Sequence, residues 1–335
     1  MPRWSAYIRK KLRAFCRLRR IYGTPAFFGG DFLDYCFREN MPERIARLRE
    51  GLDPESLALL DLLLERIKQF PSFYGDARPV VPFYAETDLL RTPQEETVAR
   101  NLDAVFRREA AAFRFPPEAR PERTAFYFYH GLRAMPPEVA ASIRGKDFID
   151  GGAYIGDSAL ALLRFEPRRI HSFDLSAKNI ALFRRVMEMN GIGEDRIRPL
   201  ALGLAETRRT IAWSDTGGES TNELVAGTDR AELIPLDDYA REHQLQVGFI
   251  KFDLEGAEFD AATGMIETLR RDRPVLSLSI YHNPRQFFEL KPWLASLDLG
   301  YRFLIRRFSA VIDIPILDTC LLAYPAELAP ASFHS

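Results

Sequence analysis

Short apolar runs alternate with amphipathic stretches along most of the second half of the chain. The runs predicted to form strands are 146–151, 169–174, 197–202, 249–254, 275–281, 301–305 and 319–324. The stretches with helical spacing are 157–165, 176–189, 237–244, 258–271 and 285–297, and a hairpin is predicted from 209–214 and 231–235. Because helices separate successive strands, the connections should be right-handed crossovers. The pattern therefore predicts an α/β fold with a mostly parallel sheet covered by helices on both faces.

Residues 1–115 show helical spacing and no motif that is typical of catalysis or ligand binding. We interpret them as an all-helical N-terminal extension. Asp53-Pro54-Glu55 and Thr92-Pro93 are helix-start signals, and the proline-containing stretch 115–123 is predicted to be a linker. The following aromatic run, residues 125–132, is predicted to be a strand or an extended segment. The extension is a candidate surface for homo-oligomer formation.

Residues 1–20 carry eight Lys and Arg and no acidic residue, and their apolar residues recur at helical spacing. This pattern predicts a basic amphipathic helix. The helix could pack on the body of the protein with a solvated basic face, or it could contact an anionic membrane surface or a partner.

The composition of the 335 residues is ordinary for a globular protein, and the net charge is −1. This charge gives no electrostatic indication of a nucleic-acid partner. The cysteines, Cys16, Cys36 and Cys320, are far apart in sequence and form no CxxC motif. A disulfide framework and a zinc module are therefore not expected, and the sequence favours a cytoplasmic location. No apolar run is long enough to span a bilayer.

The segment KDFIDGGAYIGDSAL, residues 146–160, is the first candidate for chemistry. A buried strand ends in Asp150, three glycines follow, and a helix starts at Asp157. Glycines allow a ligand to approach the backbone, and the helix start offers free N–H groups. The segment thus predicts a nucleotide-type site. Because Asp150, Tyr154 and Asp157 crowd the turn with acidic and bulky groups, a cationic or zwitterionic ligand is favoured over pyrophosphate.

Polar residues also follow the other predicted strands, at the edge where open parallel sheets bind ligands. Asp174 ends the second strand, at about the 20-residue spacing expected of an acid that binds ribose hydroxyls. Leu202-Gly203 ends the third and could line an adenine slot. The fourth strand is unusual, because Lys251, Asp253 and Glu255 share one side of a strand expected to be apolar on both.

Several of these residues have a structural interpretation beside the functional one. Lys251 could form a buried ion pair with an aspartate, and Glu255 could cap a helix. His282 and Tyr281 lie at the ligand edge after the fifth strand, which favours a function for the histidine. Asp253, Glu255, Glu258 and His282 could also bind Mg²⁺ or Mn²⁺, but we expect Glu258 to face away and predict no metal. Two further positions are candidates for contact with the substrate, His130 and Ser220, the latter in the polar loop 215–221.

The motifs FIDGGAYIGDSAL, FDLSAKN, LALG, LDDY, FIKFDLEGAE and SIYHNP occur in this order over about residues 125–325. Together they resemble the FkbM-type S-adenosylmethionine-dependent methyltransferases. The resemblance implies the class I methyltransferase sheet, with seven strands of which the last is antiparallel, in a domain that we place at 125–328. It also implies O-methylation of sugars, polyketides or other hydroxylated small molecules or glycans.

Transferred residue by residue, the resemblance implies that Asp150, Gly152 and Gly156 surround the methionine part of S-adenosylmethionine and that Asp174 binds its ribose. Family members typically have Glu-Pro where this chain has Asp174-Leu175. The full set of candidate cofactor-binding residues is Asp150, Gly151, Gly152, Ala153, Tyr154, Gly156, Asp157, Ser158, Asp174, Leu175, Asn179, Leu202, Gly203, Asp253 and Glu255.

Transfer to a hydroxyl group needs in-line positioning and a base. The candidate base is His282 or Asp253, with Lys251 or His130 orienting the acceptor. Two other functions compete with this hypothesis. A nicotinamide dehydrogenase is disfavoured because the strand is followed by Asp-Gly-Gly-x-x-x-Gly rather than G-x-G-x-x-G. A catalytically inactive scaffold module is disfavoured because buried carboxylates are costly without a use.

Overall fold

The computed structural model describes residues 40–68, 73–74, 78–79, 93–214, 227, 229–309 and 316–329, together with Phe32 and Tyr35. The described helices are α1 (Met41–Arg49), α2 (Pro54–Lys68), α3 (Pro93–Ala110), α4 (Arg123–Phe128), α5 (Pro137–Ser142), α6 (Asp157–Leu162), α7 (Ala177–Met189), α8 (Leu236–Glu242), α9 (Glu258–Thr263), α10 (Ile266–Asp272) and α11 (Pro284–Ser296). The described strands are β1 (Phe73–Tyr74), β2 (Arg78–Pro79), β3 (Asp147–Gly151), β4 (Arg169–Phe173), β5 (Ile197–Leu200), β6 (Gly203–Leu204), β7 (Arg209–Trp213), β8 (Asp229–Ile234), β9 (Val247–Phe252), β10 (Val275–Ser279), β11 (Tyr301–Arg307) and β12 (Thr319–Pro325).

Seven of the described strands form the main sheet, in the order β11-β12-β10-β9-β3-β4-β5. Neighbours from β10 to β5 are parallel, whereas β12 is antiparallel to both β10 and β11. The last strand is thus inserted antiparallel beside the fifth. The predicted class I methyltransferase sheet is confirmed. The chain runs from β3 outwards to β4 and β5 and then returns to β9 on the other side of β3, so the strand order reverses between β3 and β9, where ligands bind in such sheets.

Two apolar cores cover the two faces of this sheet, because the central strands are apolar on both sides. Ile149, Ile250 and Leu276 belong to one core, and Phe148 and Phe249 belong to the other. Every residue of β9 is buried, including Lys251. The predicted hairpin forms as β7 and β8, which join β6 in a small separate sheet.

The helices of the N-terminal extension pack against the edge of the main sheet. Leu48, Leu52, Leu60 and Leu63 are buried in the same core as the sheet, and Arg306 of β11 forms an ion pair with Asp53 at 2.8 Å. A short antiparallel pair, β1 and β2, interrupts the extension that we predicted to be all-helical. The predicted basic helix 1–20 lies outside the described residues. Among the described helices, none combines the length and the apolar character that crossing a membrane requires.

Two local predictions were wrong. The aromatic run 125–132 forms helix α4 and a left-handed turn at Tyr129 and His130 rather than a strand. Its residues Ala125, Phe126 and Phe128 are buried, since the run covers one face of the sheet. The helix predicted over 258–271 is two helices, because Gly264 packs against the backbone of Ala205 and the chain turns there.

Candidate active site

The loop after β3 is held in a strained shape by contacts that its sequence dictates. Gly152 has φ 74°, and a side chain there would overlap the carbonyl oxygen of Asp253. Gly156 has φ 84° and packs against the ring of Phe183. Tyr154 also has a positive φ, 47°, which costs about 1 kcal/mol or more in a residue other than glycine. The loop therefore brings its backbone close to the neighbouring strand β9.

Lys251 of β9 holds this loop in place through hydrogen bonds and an ion pair. Its Nζ donates to the carbonyl oxygens of Gly151, at 3.0 Å, and Gly152, at 2.7 Å. It also lies 3.3 Å from Oδ1 of Asp150, and both side chains are almost fully buried. Burial opposes the charge on Lys251, but Asp150 and Asp253 raise the pKa of its ammonium group above the usual value. The structural interpretation of Lys251, a buried ion pair with an aspartate, is thus confirmed, and a catalytic role stays a prediction.

Asp174 lies at the end of β4, with its carboxylate held by backbone and side-chain donors rather than by a basic residue. It accepts hydrogen bonds from the N–H groups of Tyr154 and Ser176, both at 2.8 Å, and from the amide of Asn179 at 3.3 Å. Burial raises its pKa to about 6. Leu175 packs beside Gly203, so the predicted ribose acid and the predicted adenine slot are neighbours.

Asp157, the first residue of α6, lies at the end of this loop. It is 2% exposed and accepts hydrogen bonds from the backbone N–H groups of Glu122 and Ser158. Burial raises its pKa to about 6. The contact with Glu122 joins the segment before α4 to the glycine loop, a contact that the sequence did not indicate.

The turn after β9, the start of α9 and the turn after β10 bring five titratable side chains together. His282 Nδ1 lies 2.7 Å from Glu258, and its Nε2 lies 3.5 Å from Asp253 and 3.4 Å from Glu255. The hydroxyl of Tyr281 donates to Asp253 at 3.2 Å. Burial would lower the pKa of His282, but Glu258, Asp253 and Glu255 raise it to about 9. His282 is therefore an imidazolium at neutral pH.

Glu258 faces this cluster, contrary to our expectation that it faces away. It is fully buried and accepts hydrogen bonds from the N–H groups of Leu254, at 2.8 Å, and Gly256, at 3.1 Å, as well as from Gln286. One possible ligand atom from each of Asp253, Glu258 and His282 lies within 4.8 Å of the others. Because both oxygens of Glu258 already accept hydrogen bonds, its surroundings favour a partner for the imidazolium over a metal ligand.

A cavity lies next to this cluster, between the ends of β9, β10 and β12 and the covering helix α4. His130 contributes to its wall, and its Nε2 is buried without a hydrogen-bond partner. Burial lowers the pKa of His130 to about 3, so that its imidazole is neutral. Two acidic residues that sequence reasoning missed also line it, Glu122 and Asp318. Both lie in segments that we interpreted as connections between helices and strands. The sequence of such segments has no periodicity that would identify a functional side chain.

The two histidines should titrate in opposite ways, and this can be measured by NMR of the imidazole nitrogens. His282 is expected to stay protonated until the pH approaches 9, and His130 is expected to stay neutral down to the lowest pH at which the protein is folded. Glu258→Gln should lower the pKa of His282, because it removes the nearest carboxylate. A neutral His282 at pH 7 in the unaltered protein would contradict this description.

The remaining predicted site residues are at the same edge of the sheet. Ala153 belongs to the glycine loop, Ser158 to the first turn of α6, and Leu202 to the end of β5. Ser220 lies outside the described residues. The described candidates thus form a continuous rim that runs from β5 to β10.

Comparisons with known proteins agree with the motifs. Residues 150–303 match the family model described as the methyltransferase FkbM domain. The resemblance predicted from the sequence is confirmed. No curated protein matches the chain significantly.

The solved structures that the chain matches include a methyltransferase FkbM from Methylobacillus flagellatus KT, at 20% identity and a TM-score of 0.43. The match covers 69% of this chain and 60% of that protein, so it spans less than two thirds of that protein's length. An O-methyltransferase from Bacillus cereus in complex with SAH is 16% identical, with a TM-score of 0.37, over 70% of this chain and 97% of that one. Fibrillarin from Aeropyrum pernix with bound S-adenosyl-L-methionine is 13% identical, with a TM-score of 0.34, over 55% and 68%.

Proposed function

We propose that this chain, whose residues 150–303 match the methyltransferase FkbM domain, transfers a methyl group from S-adenosylmethionine to a hydroxyl group. The acceptor is a sugar, a polysaccharide or another hydroxylated small molecule. The observation that carries the proposal is the row of carboxylates along the carboxyl edge of the sheet, in which Asp157 and Asp174 are held by backbone N–H and amide donors rather than by a basic residue. Such a rim suits a sulfonium cation and repels phosphate.

The described residues place their backbone and carboxylates where the donor would bind. Gly152 packs directly on the backbone of Asp253, and Gly203 packs on the side chains of Leu175 and Leu233, so neither position has room for a Cβ atom. Asp174 would hold a ribose hydroxyl through Oδ2, which accepts one hydrogen bond, from Tyr154, whereas Oδ1 already accepts two. The glycine loop and Asp157 would hold the methionine part. The bound donor supplies an electrophilic methyl group, and everything else in the reaction is positioning and proton transfer.

For the proton, the geometry favours Asp253 over His282. An imidazolium cannot accept a proton, whereas burial of Asp253 is outweighed by Lys251 and His282, which keep its pKa below the usual value and the group ionised. Asp253 lines the cavity, so an acceptor hydroxyl bound there can donate to it. His282 would hold Asp253 in place through the contact at 3.5 Å. His130 and Tyr281 would orient the acceptor.

Calorimetry with three ligands tests this function. S-adenosylmethionine and S-adenosylhomocysteine should bind, and NAD should not. No binding of the two sulfur compounds would favour a scaffold without cofactor, and binding of NAD alone would favour a dehydrogenase.

The pH dependence of binding provides a sharper test. Asp157 and Asp174 have pKa values of about 6, so below pH 6 they are largely protonated and carry no charge. Raising the pH from 5 to 7 ionises them, and a bound cation favours the ionised forms. Affinity for S-adenosylmethionine should therefore rise by roughly tenfold over this interval and level off above it. The neutral thioether S-adenosylhomocysteine should gain less, and an equal gain would contradict a sulfonium-binding rim.

A further inference from the structure

A second charged cavity lies at the opposite edge of the main sheet, where β3 and β4 begin. Its volume is about 350 Å³, which is in the range of small-molecule sites. Three arginines line it, Arg168 before β4, Arg169 at its start and Arg198 on β5, together with the buried His171. Because β4 crosses the whole sheet between this cavity and Asp174, the two sites are separated by about 15 Å.

The positive charge in this cavity is only partly neutralised. Arg168 forms a bidentate pair with Asp147, which also accepts the N–H of Gln246 at 2.9 Å. Arg169 donates its Nε to the carbonyl oxygen of Asp195 at 3.0 Å, a neutral partner. Within the described part of the chain, neither Arg169 nor Arg198 forms an ion pair with a carboxylate. Two guanidinium groups at this cavity therefore have no carboxylate partner among the described residues.

Both of these charges act on His171, which lines the cavity, and on Tyr239, which contacts His171. Burial raises the pKa of the Tyr239 hydroxyl to about 12, against the opposing effect of Arg198 and Arg169. Burial lowers the pKa of His171, the carboxylate of Asp147 opposes this effect, and Arg169 and Arg198 add to it. The guanidinium groups thus lie close enough to act on one pair of side chains.

The imidazole of His171 has one partnered and one unpartnered nitrogen. Its Nδ1 shares a hydrogen bond with the hydroxyl of Tyr239, at 2.9 Å. His171 is 1% exposed, and its Nε2 is buried without a hydrogen-bond partner, with the nearest carboxylate oxygen of Asp147 at 3.8 Å. A buried polar atom without a partner is unfavourable, and a ligand in the cavity could satisfy it.

We propose that this cavity is an anion site for the phosphate group of a small molecule, distinct from the methyl-transfer site. Two planar guanidinium groups offer the paired N–H donors that match phosphate oxygens. The unpartnered Nε2 of His171 offers a third donor in the tautomer that carries the proton there. The inference is independent of the proposed methyl transfer, because no residue is shared between the two cavities.

Calorimetric titration of the full chain at constant ionic strength tests the site. The probes are inorganic phosphate, inorganic pyrophosphate and a sugar monophosphate. Arg169→Ala and Arg198→Ala should each weaken binding about tenfold, since each removes a charge-assisted hydrogen-bonding group, and the double variant should bind at least fiftyfold more weakly. Tighter binding of the sugar phosphate than of phosphate would identify an organic phosphate as the ligand, whereas equal binding would identify the free ion.

The controls separate this cavity from other basic groups. Residues 1–20 carry eight Lys and Arg, so binding by the unaltered chain alone does not identify the site. Arg209→Ala removes an exposed arginine that is paired with Asp260 elsewhere, and it should leave binding unchanged. If the alanine variants do not fold, Arg169→Gln and Arg198→Gln retain the packing of the stems and give the same test. Absence of saturable binding, or equal affinity in the double variant, would overturn the proposal.

Discussion

Asp253→Asn is expected to lower turnover by about a thousandfold while the affinity for S-adenosylmethionine changes only a few fold. General bases contribute roughly 10²–10⁴ to such reactions, and the amide keeps the size of the carboxylate but cannot take the proton. Tyr281 can still donate to the remaining oxygen, at the position where it now contacts Oδ1 at 3.2 Å. The loss should therefore appear in kcat rather than in donor binding.

The measurement needs an acceptor, which a screen of hydroxyl compounds with labelled S-adenosylmethionine would provide. Single-turnover rates and calorimetric dissociation constants are then compared for the unaltered chain, Asp253→Asn and Asp61→Asn. Asp61 is an exposed aspartate of α2 that pairs with Arg49, so its variant controls for loss of one carboxylate. Full turnover in Asp253→Asn would exclude Asp253 as the base.

His282→Ala distinguishes the two candidate bases. If His282 only holds Asp253, the variant should lose about ten- to a hundredfold in turnover, and the loss should be the same from pH 6 to 8, because His282 is protonated throughout this range. If His282 itself takes the proton, turnover of the unaltered enzyme should rise steeply towards pH 9. An unchanged rate in His282→Ala would exclude both roles.

The succession of strands and helices along the chain was predictable because it depends on patterns that are local in sequence, whereas the antiparallel last strand was implied by the family resemblance. Each buried strand reads as an apolar run, each covering helix as a 3.6-residue repeat, and the crossover rule leaves few ways to connect them. The aromatic run at 125–132 shows the limit of this reasoning. Apolar residues are continuous there, so periodicity cannot distinguish a buried helix from a strand. Which of the two forms depends on how the segment packs against the sheet.

The meeting of the candidate site residues at one edge of the sheet could be predicted from the sequence, but their electrostatics could not. Asp150, Asp174 and Asp253 follow strands and therefore meet at one edge. The charge on His282, in contrast, depends on Glu258, which reaches back from the start of α9 into the turn after β9. The arginine cavity combines side chains from β4 and β5 with residues 243–245, which follow α8. Such contacts between distant segments carry no signal in one sequence.

Gly152→Ala is expected to abolish cofactor binding, with at least a hundredfold loss of affinity for S-adenosylmethionine. Two unfavourable contributions to the free energy of the folded protein add at this position. The left-handed backbone, φ 74°, costs about 1 kcal/mol for alanine, and the new methyl group would overlap the carbonyl oxygen of Asp253, which belongs to the backbone and cannot rotate away. Either Gly152 or Asp253 must move, which breaks the 2.7 Å hydrogen bond from Lys251 to Gly152. Thermal unfolding should show a destabilisation of about 3 kcal/mol.

Gly191→Ala measures the cost of placing alanine in a left-handed backbone conformation without a steric overlap. Gly191 follows α7 with φ 63°, and no atom lies within 4 Å of the position that its Cβ would take. Its variant should lose about 1 kcal/mol of stability and bind S-adenosylmethionine as the unaltered chain does. The difference between the two variants measures how closely the glycine loop must approach β9 for the donor to bind. Equal affinities in the two variants would mean that this approach is not required, and that the loop after β3 is not the methionine-binding part of the site.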